Sequence, residues 1–312
     1  MTNSTPKASV IVCAYSDDRW QQLCDAIDSL KGQDWPNREI IVVIDHNPGL
    51  LAGIAARYPD VRTMSNEGPR GLSGARNTGV RNAGGFIIAF LDDDASANPN
   101  WLSLMMAHYR DPSVIGFGGG VIPIWPDKRP RWLPEEFNWV VGCSYKGQPE
   151  EVASVRNPIG CNMSFRRAVF DSIGGFREGI GREGSDASGC EETEFCIRAR
   201  QAFPQACILY DPGAQVHHNV SADRTRWAYF RKRCLAEGRS KTLVVGAVGA
   251  HDGLSSERAY VTRVLPAGVV TGLRTAMFSL DPWGLARAGG IFAGLGYTAF
   301  GYLNSRLRNA WR

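Results

Sequence analysis

Residues 86–94 have the sequence FIIAFLDDD, an apolar run that stops at three adjacent aspartates. Two similar runs precede it, SVIVCA at residues 9–14 and EIIVVID at residues 39–45. Each run is short, apolar and rich in β-branched residues, which is typical of a buried strand. Apolar residues with helical spacing separate the runs. This alternation predicts an α/β fold, with a parallel sheet covered by helices on both faces.

The remaining segments extend the same pattern along the chain. We predict helices beginning at Trp20 and over residues 50–57, 72–82, 101–109 and 191–202, and further strands over 61–64, 114–122, 162–165 and 206–210. Ligands of such sheets bind beyond the carboxyl ends of the strands. We therefore expect the functional site where Asp45 and the three aspartates follow their strands.

Composition and charge divide the chain into two parts. Of its 312 residues, 44% are hydrophobic and 21% charged, which excludes wholesale disorder. The net charge of +4 combines a surplus of +10 after residue 223, from 14 basic and 4 acidic residues, with −6 in the rest of the chain. We predict a catalytic domain over residues 1–223 and a basic helical C-terminal extension over residues 224–312.

The eight cysteines contain no C-x-x-C pair. Several lie within apolar runs, so we expect buried thiols in a reducing compartment, and neither a disulfide framework nor a zinc cluster. The first residues, MTNSTPKASVIV, lack the apolar core of a signal peptide. A cytoplasmic protein is the expectation.

Asp92, Asp93 and Asp94 carry the strongest chemical signal. Adjacent carboxylates repel one another unless a cation or a basic group compensates them. At a strand end they suit a hard divalent metal ion, Mg²⁺ or Mn²⁺, bound through oxygen. A solvated acidic turn is the alternative.

The second signal is GLSGARN at residues 71–77, at the start of a predicted helix. Backbone N–H groups at a helix N-terminus, with Arg76 beside them, suit a phosphate-bearing ligand, although glycine-rich helix starts are common. Asp45 ends its own strand. It can accept hydrogen bonds from a ribose or a base, or cap a helix or turn.

Two further groups lie later in the chain. Glu191 and Glu192 begin a helix, where the helix dipole favours a carboxylate whatever its function. His217 and His218 are adjacent and point opposite ways in an extended chain, so that at most one reaches a given metal ion.

In this order, the motifs resemble glycosyltransferase family 2, the inverting transferases with a GT-A fold. The matching stretches are SVIVCAY, EIIVVID, GLSGARNTG, FIIAFLDDD, GCNMSFRR (160–167), GGF (174–176) and EETEFCIR (191–198). The resemblance covers about residues 8–220, and the series is far more specific than any single member. It implies a GT-A domain with a nucleotide-sugar donor.

The resemblance also implies roles for individual residues. Ala14, Tyr15 and Asp45 would line the nucleotide pocket, and Arg76 would approach the donor. Asp92 and Asp94 fit the D-x-D that holds the metal ion on the diphosphate, although Asp93 and Asp94 are a rival contacting pair. Glu192 occupies the position of the catalytic base, where the family commonly has Asp, with Glu191 as its rival. His218 would be a further metal or diphosphate contact, with His217 as the alternative.

The implied reaction is a single inverting displacement. The base takes a proton from an acceptor hydroxyl, which attacks the anomeric carbon while the nucleoside diphosphate leaves. UDP is the expected nucleotide, and the expected acceptor is a glycan or lipid-linked saccharide of cell-wall or polysaccharide biosynthesis. Asn162 and Trp132 are candidate acceptor contacts, although core packing explains each tryptophan equally well. A non-catalytic nucleotide- or glycan-binding protein on the same fold is the alternative.

The C-terminal extension contains a 16-residue uncharged stretch, residues 288–303, followed by Arg306, Arg308 and Arg312. Sixteen residues are fewer than the roughly 20 that cross a bilayer. Together with residues 264–278, the stretch predicts interfacial helices on the anionic inner face of the cell membrane. A helical cap on the catalytic domain and an oligomer contact are the alternatives. The extension mixes aromatic and basic residues, but no nucleic-acid motif accompanies them, and we expect no nucleic acid partner.

Overall fold

The structure is a computed structural model and describes residues 7–182, 189–253 and 255–310. The chain forms two compact units. The first comprises Met1–Ile122, Pro149–Ser185 and Glu191–His218, and the second Pro123–Gln148, Asp186–Cys190 and Asn219–Arg312. The domains predicted at 1–223 and 224–312 stay a prediction. The second unit takes in 123–148, which the sequence assigns to the catalytic domain.

The first unit is built on one mixed sheet. Its strands are β1 (Ala8–Ala14), β2 (Arg38–Ile44), β3 (Arg62–Ser65), β4 (Ile87–Asp92), β5 (Ala95–Ala97), β6 (Val114–Ile124), β7 (Ala153–Val155), β8 (Asn162–Arg166) and β9 (Cys207–Asn219). Within the described residues their order is β3-β2-β1-β4-β8-β6-β9-β5, and β7 pairs with β9. The strands from β3 to β4 are parallel, as predicted. The remainder corrects that prediction, since β8 is antiparallel to both β4 and β6.

Helices follow the strands of the first unit. They are α1 (Trp20–Lys31), α2 (Pro48–Arg57), α3 (Leu72–Asn82), α4 (Trp101–His108), α5 (Arg167–Ile173) and α6 (Glu191–Ala202). The Asn47 side chain caps α2 by accepting from the Leu50 N–H, and Pro48 begins the helix, where its missing donor costs nothing. The strands and helices enclose a core that includes Phe90, Phe165 and Phe195, each at most 1% exposed. This core holds the strand ends in place.

The second unit is helical. It contains α7 (Trp227–Val248), α8 (Ala250–Gly253), α9 (Ser255–Ala259), α10 (Leu265–Phe278) and α11 (Trp283–Ala310), with a π-helical turn at Tyr260–Val264 and a 3₁₀ segment at Glu135–Val141. Phe137, Phe230 and Ile291 belong to its core. Residues 124–137 supply part of this core through Leu133 and Phe137, with Trp125 and Trp132 packed against it.

Helix α11 carries an apolar face that is exposed. Leu285, Phe292, Phe300, Leu303 and Leu307 are each between 57% and 65% exposed. At 3.6 residues per turn they lie within about 80° of one another around the helix axis. We call these five residues the α11 stripe. Over the described part of the chain, the helices lack the combination of length and apolarity needed to span a bilayer.

The strongly periodic segments occur close to where the sequence predicts them. The sequence does not indicate β5 and β7, which have three residues each, and the strand predicted at 206–210 covers only four residues of the 13-residue β9. The length of β9 depends on the strands beside it, since it pairs with β7 at residues 208–210 and with β5 at residues 216–218. All eight cysteines are free, and six of them are buried, which agrees with the expected thiols.

Candidate active site

Parallel pairing brings three predicted site residues to one edge of the sheet. Strand β1 lies between β2 and β4, with Ala14 opposite Ile44 and Cys13 opposite Asp92. Asp45 directly follows Ile44. The sheet thus places Ala14, Asp45 and Asp92 beside one another, although they lie far apart in the chain. Tyr15 follows Ala14 and is 45% exposed.

Arg19 compensates two of the three aspartates. Its Nη1 atom lies 2.7 Å from Asp93 Oδ1 and 3.1 Å from Asp94 Oδ2. Burial lowers the pKa of Arg19, but Asp93 and Asp94 outweigh burial and raise it above its ordinary value. Burial and the charge of Asp94 raise the pKa of Asp93 to about 7. No sequence motif links Arg19 to aspartates 74 and 75 residues later, so only the structure shows this contact.

Arg76 joins the aspartates to the glutamate pair. The side chain is 2% exposed, and its Nη1 donates to Glu191 Oε1 at 2.7 Å. Its Nη2 donates to the Gly160 carbonyl at 3.1 Å and lies 3.4 Å from Asp92 Oδ1. Helix α3 carries Arg76, and its tight glycine-rich start lies next to the strand ends. The buried guanidinium of Arg76 therefore connects the last residue of β4 to the first residue of α6.

The two glutamates at the start of α6 differ in their surroundings. Glu191 is 4% exposed and pairs with Arg76. Glu192 is partly exposed, and its Oε1 accepts a hydrogen bond of 3.1 Å from the Thr193 hydroxyl. Of the two, Glu192 is the carboxylate with access to solvent, as a base acting on a bound acceptor requires.

His217 and His218 contact different residues, as expected for neighbours whose side chains point to opposite faces of strand β9. His217 Nε2 contacts Asn98 Oδ1 at 3.1 Å. His218 is 2% exposed, and its Nε2 lies 3.2 Å from Asp94 Oδ1. Asp92, Cys161 and His218 each offer one ligand atom, and these three atoms lie within 4.8 Å of one another. His218, and not His217, is therefore the histidine that joins the carboxylates.

The chemistry of this donor set fits a divalent metal ion. A carboxylate oxygen and an imidazole nitrogen are ordinary ligands of such ions. The Oδ2 atom of Asp93 is buried and accepts no hydrogen bond from the described residues, which leaves acceptor capacity beside the cluster. The sequence predicts Asp92, Asp94 and His218 at this site, but no motif in it indicates Cys161.

Asp45 organises the loop that precedes α3. Its Oδ1 accepts from Asn66 Nδ2 at 2.7 Å, and its Oδ2 accepts from the Gly71 N–H at 2.9 Å. Gly71 has φ of 120°, a backbone conformation that favours glycine. The sequence left two roles open for Asp45, a nucleotide contact and a cap of a helix or turn. The structure shows Asp45 capping the turn before α3. The nucleotide contact stays a prediction.

The two predicted acceptor residues have packing roles. Asn162 is 0% exposed, accepts from Trp101 Nε1 at 2.8 Å, and donates to the carbonyls of Gly120 and Ala214. Trp132 belongs to the second unit, where its ring centroid lies 5.1 Å from that of Trp227 and 5.5 Å from that of Phe230. A direct acceptor contact stays a prediction for both.

Comparison with known proteins assigns a family to this arrangement. The family model described as "Glycosyl transferase family 2" matches residues 9–174. The glucosyl-dolichyl phosphate glucuronosyltransferase of Haloferax volcanii is 32% identical over 242 residues, which cover 76% of this chain and 77% of that protein. The succinoglycan biosynthesis protein ExoM of Rhizobium meliloti is 26% identical, over 93% and 82% of the two chains.

A solved structure with the same fold is the mannosyltransferase PcManGT from Pyrobaculum calidifontis, in complex with GDP-Man and Mn²⁺. Its TM-score is 0.64 at 17% sequence identity, and the match covers 96% of this chain and 88% of that one. The expected GT-A fold with a C-terminal helical region is therefore confirmed.

Proposed function

Because this chain belongs to glycosyltransferase family 2 and is a glycosyltransferase, we propose that it moves a sugar from a nucleoside diphosphate sugar to an acceptor hydroxyl with inversion. The observation that carries the proposal is the Arg76 bridge. It joins Asp92, in the predicted D-x-D, to Glu191, the neighbour of the proposed base. One buried side chain thereby connects a proposed metal ligand to the residue that precedes the proposed base.

Glu192 is the proposed general base. It removes the proton from the acceptor hydroxyl as the oxygen attacks the anomeric carbon, and the nucleoside diphosphate leaves from the opposite face. Two observations favour it over Glu191. Glu191 is buried and paired with Arg76, whereas Glu192 is partly exposed. The ion pair with the buried Arg76 also occupies one carboxylate oxygen of Glu191.

Asp92, Asp94 and His218 are the residues proposed to hold Mg²⁺ or Mn²⁺ on the donor diphosphate. A bound metal ion would neutralise negative charge that develops on the leaving group. Arg19 contacts both Asp93 and Asp94 and offsets the repulsion between the two carboxylates. The donor pocket is proposed to include Ala14, Tyr15, Asp45, Arg76, Asp92 and Asp93, with UDP as the nucleotide.

A lipid-linked saccharide is the proposed acceptor. The archaeal relative at 32% identity is named for transfer to glucosyl-dolichyl phosphate. Such an acceptor is confined to a membrane, so the enzyme must work at a lipid surface. The α11 stripe offers apolar side chains for that surface, and exposed Arg306 and Arg308 flank its C-terminal end. We propose peripheral binding to the anionic inner leaflet.

The test is a donor and acceptor matrix. The purified chain is incubated with UDP-, GDP-, dTDP- and CMP-sugars, with Mn²⁺ or with a chelator, and with glucosyl polyprenyl phosphate in mixed micelles. We expect metal-dependent transfer from one donor and an inverted anomeric configuration in the product. An Asp94→Asn variant should lose metal-dependent donor binding.

Two outcomes count against the proposal. Retention of the donor's anomeric configuration would exclude the single displacement. Tight, metal-dependent donor binding with no transfer to any acceptor would favour the non-catalytic binding protein.

A further inference from the structure

The structure brings a sulfur atom into the cluster proposed to hold the metal ion. Cys161 immediately precedes β8, and Leu91 pairs with Asn162 across β4 and β8. Continuing this register by one residue would place Cys161 opposite Asp92, and the ligand atoms of the two residues lie within 4.8 Å of each other. The Cys161 side chain is 3% exposed. The residue that follows Cys161 is thus fixed by strand pairing next to Asp92.

The third member of the cluster comes from a different strand pair. His218 lies on β9 opposite Ala95 of β5, three residues beyond Asp92. The candidate ligand atoms of Asp92, Cys161 and His218, an oxygen, a sulfur and a nitrogen, all lie within 4.8 Å of one another. The Nε2 atom of His218 lies 3.2 Å from Asp94 Oδ1, which brings the remaining proposed ligand, Asp94, to the same cluster.

We propose that Cys161 supplies a thiolate ligand to the active-site metal ion, so that this site binds thiophilic divalent cations in preference to Mg²⁺. The inference rests on the proposed function for the presence of a metal ion at this cluster. On coordination, the thiol proton is released to solvent and a metal–sulfur bond forms. Cys161 would join Asp92, Asp94 and His218 as a fourth protein ligand, and a six-coordinate ion would keep positions for diphosphate oxygens.

Sulfur changes which ions the site favours. Thiolate ligands select Zn²⁺, Co²⁺ and Cd²⁺, whereas carboxylate and water suit Mg²⁺ and Mn²⁺. An oxygen atom at the position of the Cys161 sulfur should reverse that preference. The side chain at position 161 is therefore a specificity determinant for the metal ion.

The test uses Co²⁺ as a spectroscopic probe. The full, metal-free chain is titrated with Co²⁺ under anaerobic conditions, and the near-ultraviolet sulfur-to-cobalt charge-transfer band is recorded. We expect the band in the wild-type protein and its loss in Cys161→Ser. The matched control is Cys207→Ser, at the start of β9 and 11 residues before His218, which should keep the band. The other seven cysteines make this control necessary.

Competition gives a second readout. Cd²⁺ is titrated against bound Mn²⁺, with released Mn²⁺ detected by electron paramagnetic resonance. The preference for Cd²⁺ over Mn²⁺ should fall at least about tenfold in Cys161→Ser, the size of effect seen when the surroundings of a metal ligand change. If the variant does not fold, the ¹¹³Cd resonance of the wild-type protein decides. Sulfur ligation shifts it well downfield of an oxygen and nitrogen site.

Three results would overturn the inference: a charge-transfer band that survives in Cys161→Ser, a band that disappears only in Cys13→Ser, or a ¹¹³Cd resonance typical of oxygen and nitrogen ligands. These failures are distinct from failure of the proposed function. An enzyme that transfers sugar with Mn²⁺ but shows no sulfur band would refute only the Cys161 ligand. A sulfur band without transfer would refute only the proposed reaction.

Discussion

At the residue scale, Arg76 separates two neighbouring glutamates that look equivalent in the sequence. It holds Glu191 in a buried ion pair at 2.7 Å and leaves Glu192 partly exposed. Removing one partner from a buried pair leaves an uncompensated charge, which costs about 3–5 kcal/mol. The two glutamates should therefore respond differently to the same substitution.

We expect Glu192→Gln to lower kcat by about 10²- to 10⁴-fold, the contribution of a general base, with little change in melting temperature. Glu191→Gln should instead lower the melting temperature, because the buried Arg76 loses the nearer of its two carboxylate partners. Sugar-transfer assays and thermal unfolding of both variants check this. If Glu191→Gln is folded and inactive while Glu192→Gln keeps its rate, the roles are reversed.

At the element scale, close backbone contacts in the second unit depend on small residues. Gly238 of α7 faces α11, and a Cβ atom added there would lie 2.6 Å from the Tyr302 nitrogen. Gly246 of the same helix has nothing within 4 Å of such an atom. The two glycines thus form a matched pair on one helix.

Gly238→Ala should destabilise the protein by about 1–3 kcal/mol, because the added methyl group forces α7 and α11 apart. Gly246→Ala should be neutral or stabilise by up to about 1 kcal/mol, since alanine favours the helix and meets no neighbour. Denaturant unfolding of both variants measures the difference. Equal effects at the two positions would show that the contact between the helices is loose.

A buried glutamate on α7, Glu237, lies between two basic residues, and this arrangement predicts that the stability of the fold depends on pH. Glu237 is 14% exposed and lies 2.8 Å from Arg233 and 3.3 Å from Lys241. Burial alone would raise the pKa of Glu237, but Lys241 and Arg233 lower it to about 2, from 4.5. A depressed carboxyl pKa stabilises the fold above the unfolded pKa, and this stabilisation is lost as the pH falls through the folded value.

Glu237 should therefore contribute on the order of 3 kcal/mol at neutral pH, a contribution that declines between about pH 4.5 and 2. Denaturant unfolding of the wild type and Glu237→Gln across this range provides the check. We expect the difference in unfolding free energy between the two proteins to shrink as the pH falls. A difference that stays constant with pH would mean that Glu237 titrates normally in the folded state.

At the scale of the whole molecule, the chain combines an acidic body with a basic extension. We expect binding to vesicles of phosphatidylglycerol and phosphatidylcholine that exceeds binding to neutral vesicles and weakens with added salt. Phe300→Glu, in the α11 stripe, should reduce the affinity at least about tenfold, because it removes apolar area and adds a repelled charge.

The matched control for Phe300→Glu is Val152→Glu, which adds the same charge at a residue 49% exposed in the first unit. Vesicle co-sedimentation of both variants measures the effect. An equal loss of vesicle affinity in the two variants would show that binding depends on net charge alone. Undiminished binding by Phe300→Glu would exclude the α11 stripe as the membrane contact.

Local patterns in the sequence were sufficient for the fold class, the principal strands and helices, and the carboxylates at the strand ends. Apolar periodicity and residue type act over a few residues, so they are visible in one dimension. The motif series from residues 9–14 to 191–198 then indicated the family. That resemblance also implies a catalytic base at Glu192 and metal contacts at Asp92 and His218.

Only the tertiary structure decided which of these groups meet. Arg19 lies 74 residues from Asp93, and Cys161 lies 69 residues from Asp92, yet strand register and packing bring each pair together. The antiparallel half of the sheet and the length of β9 likewise depend on neighbouring strands. Contacts between distant residues follow from how strands pair and cores close, which no local pattern contains, and they determine how Arg76 divides the two glutamates and which histidine joins the cluster.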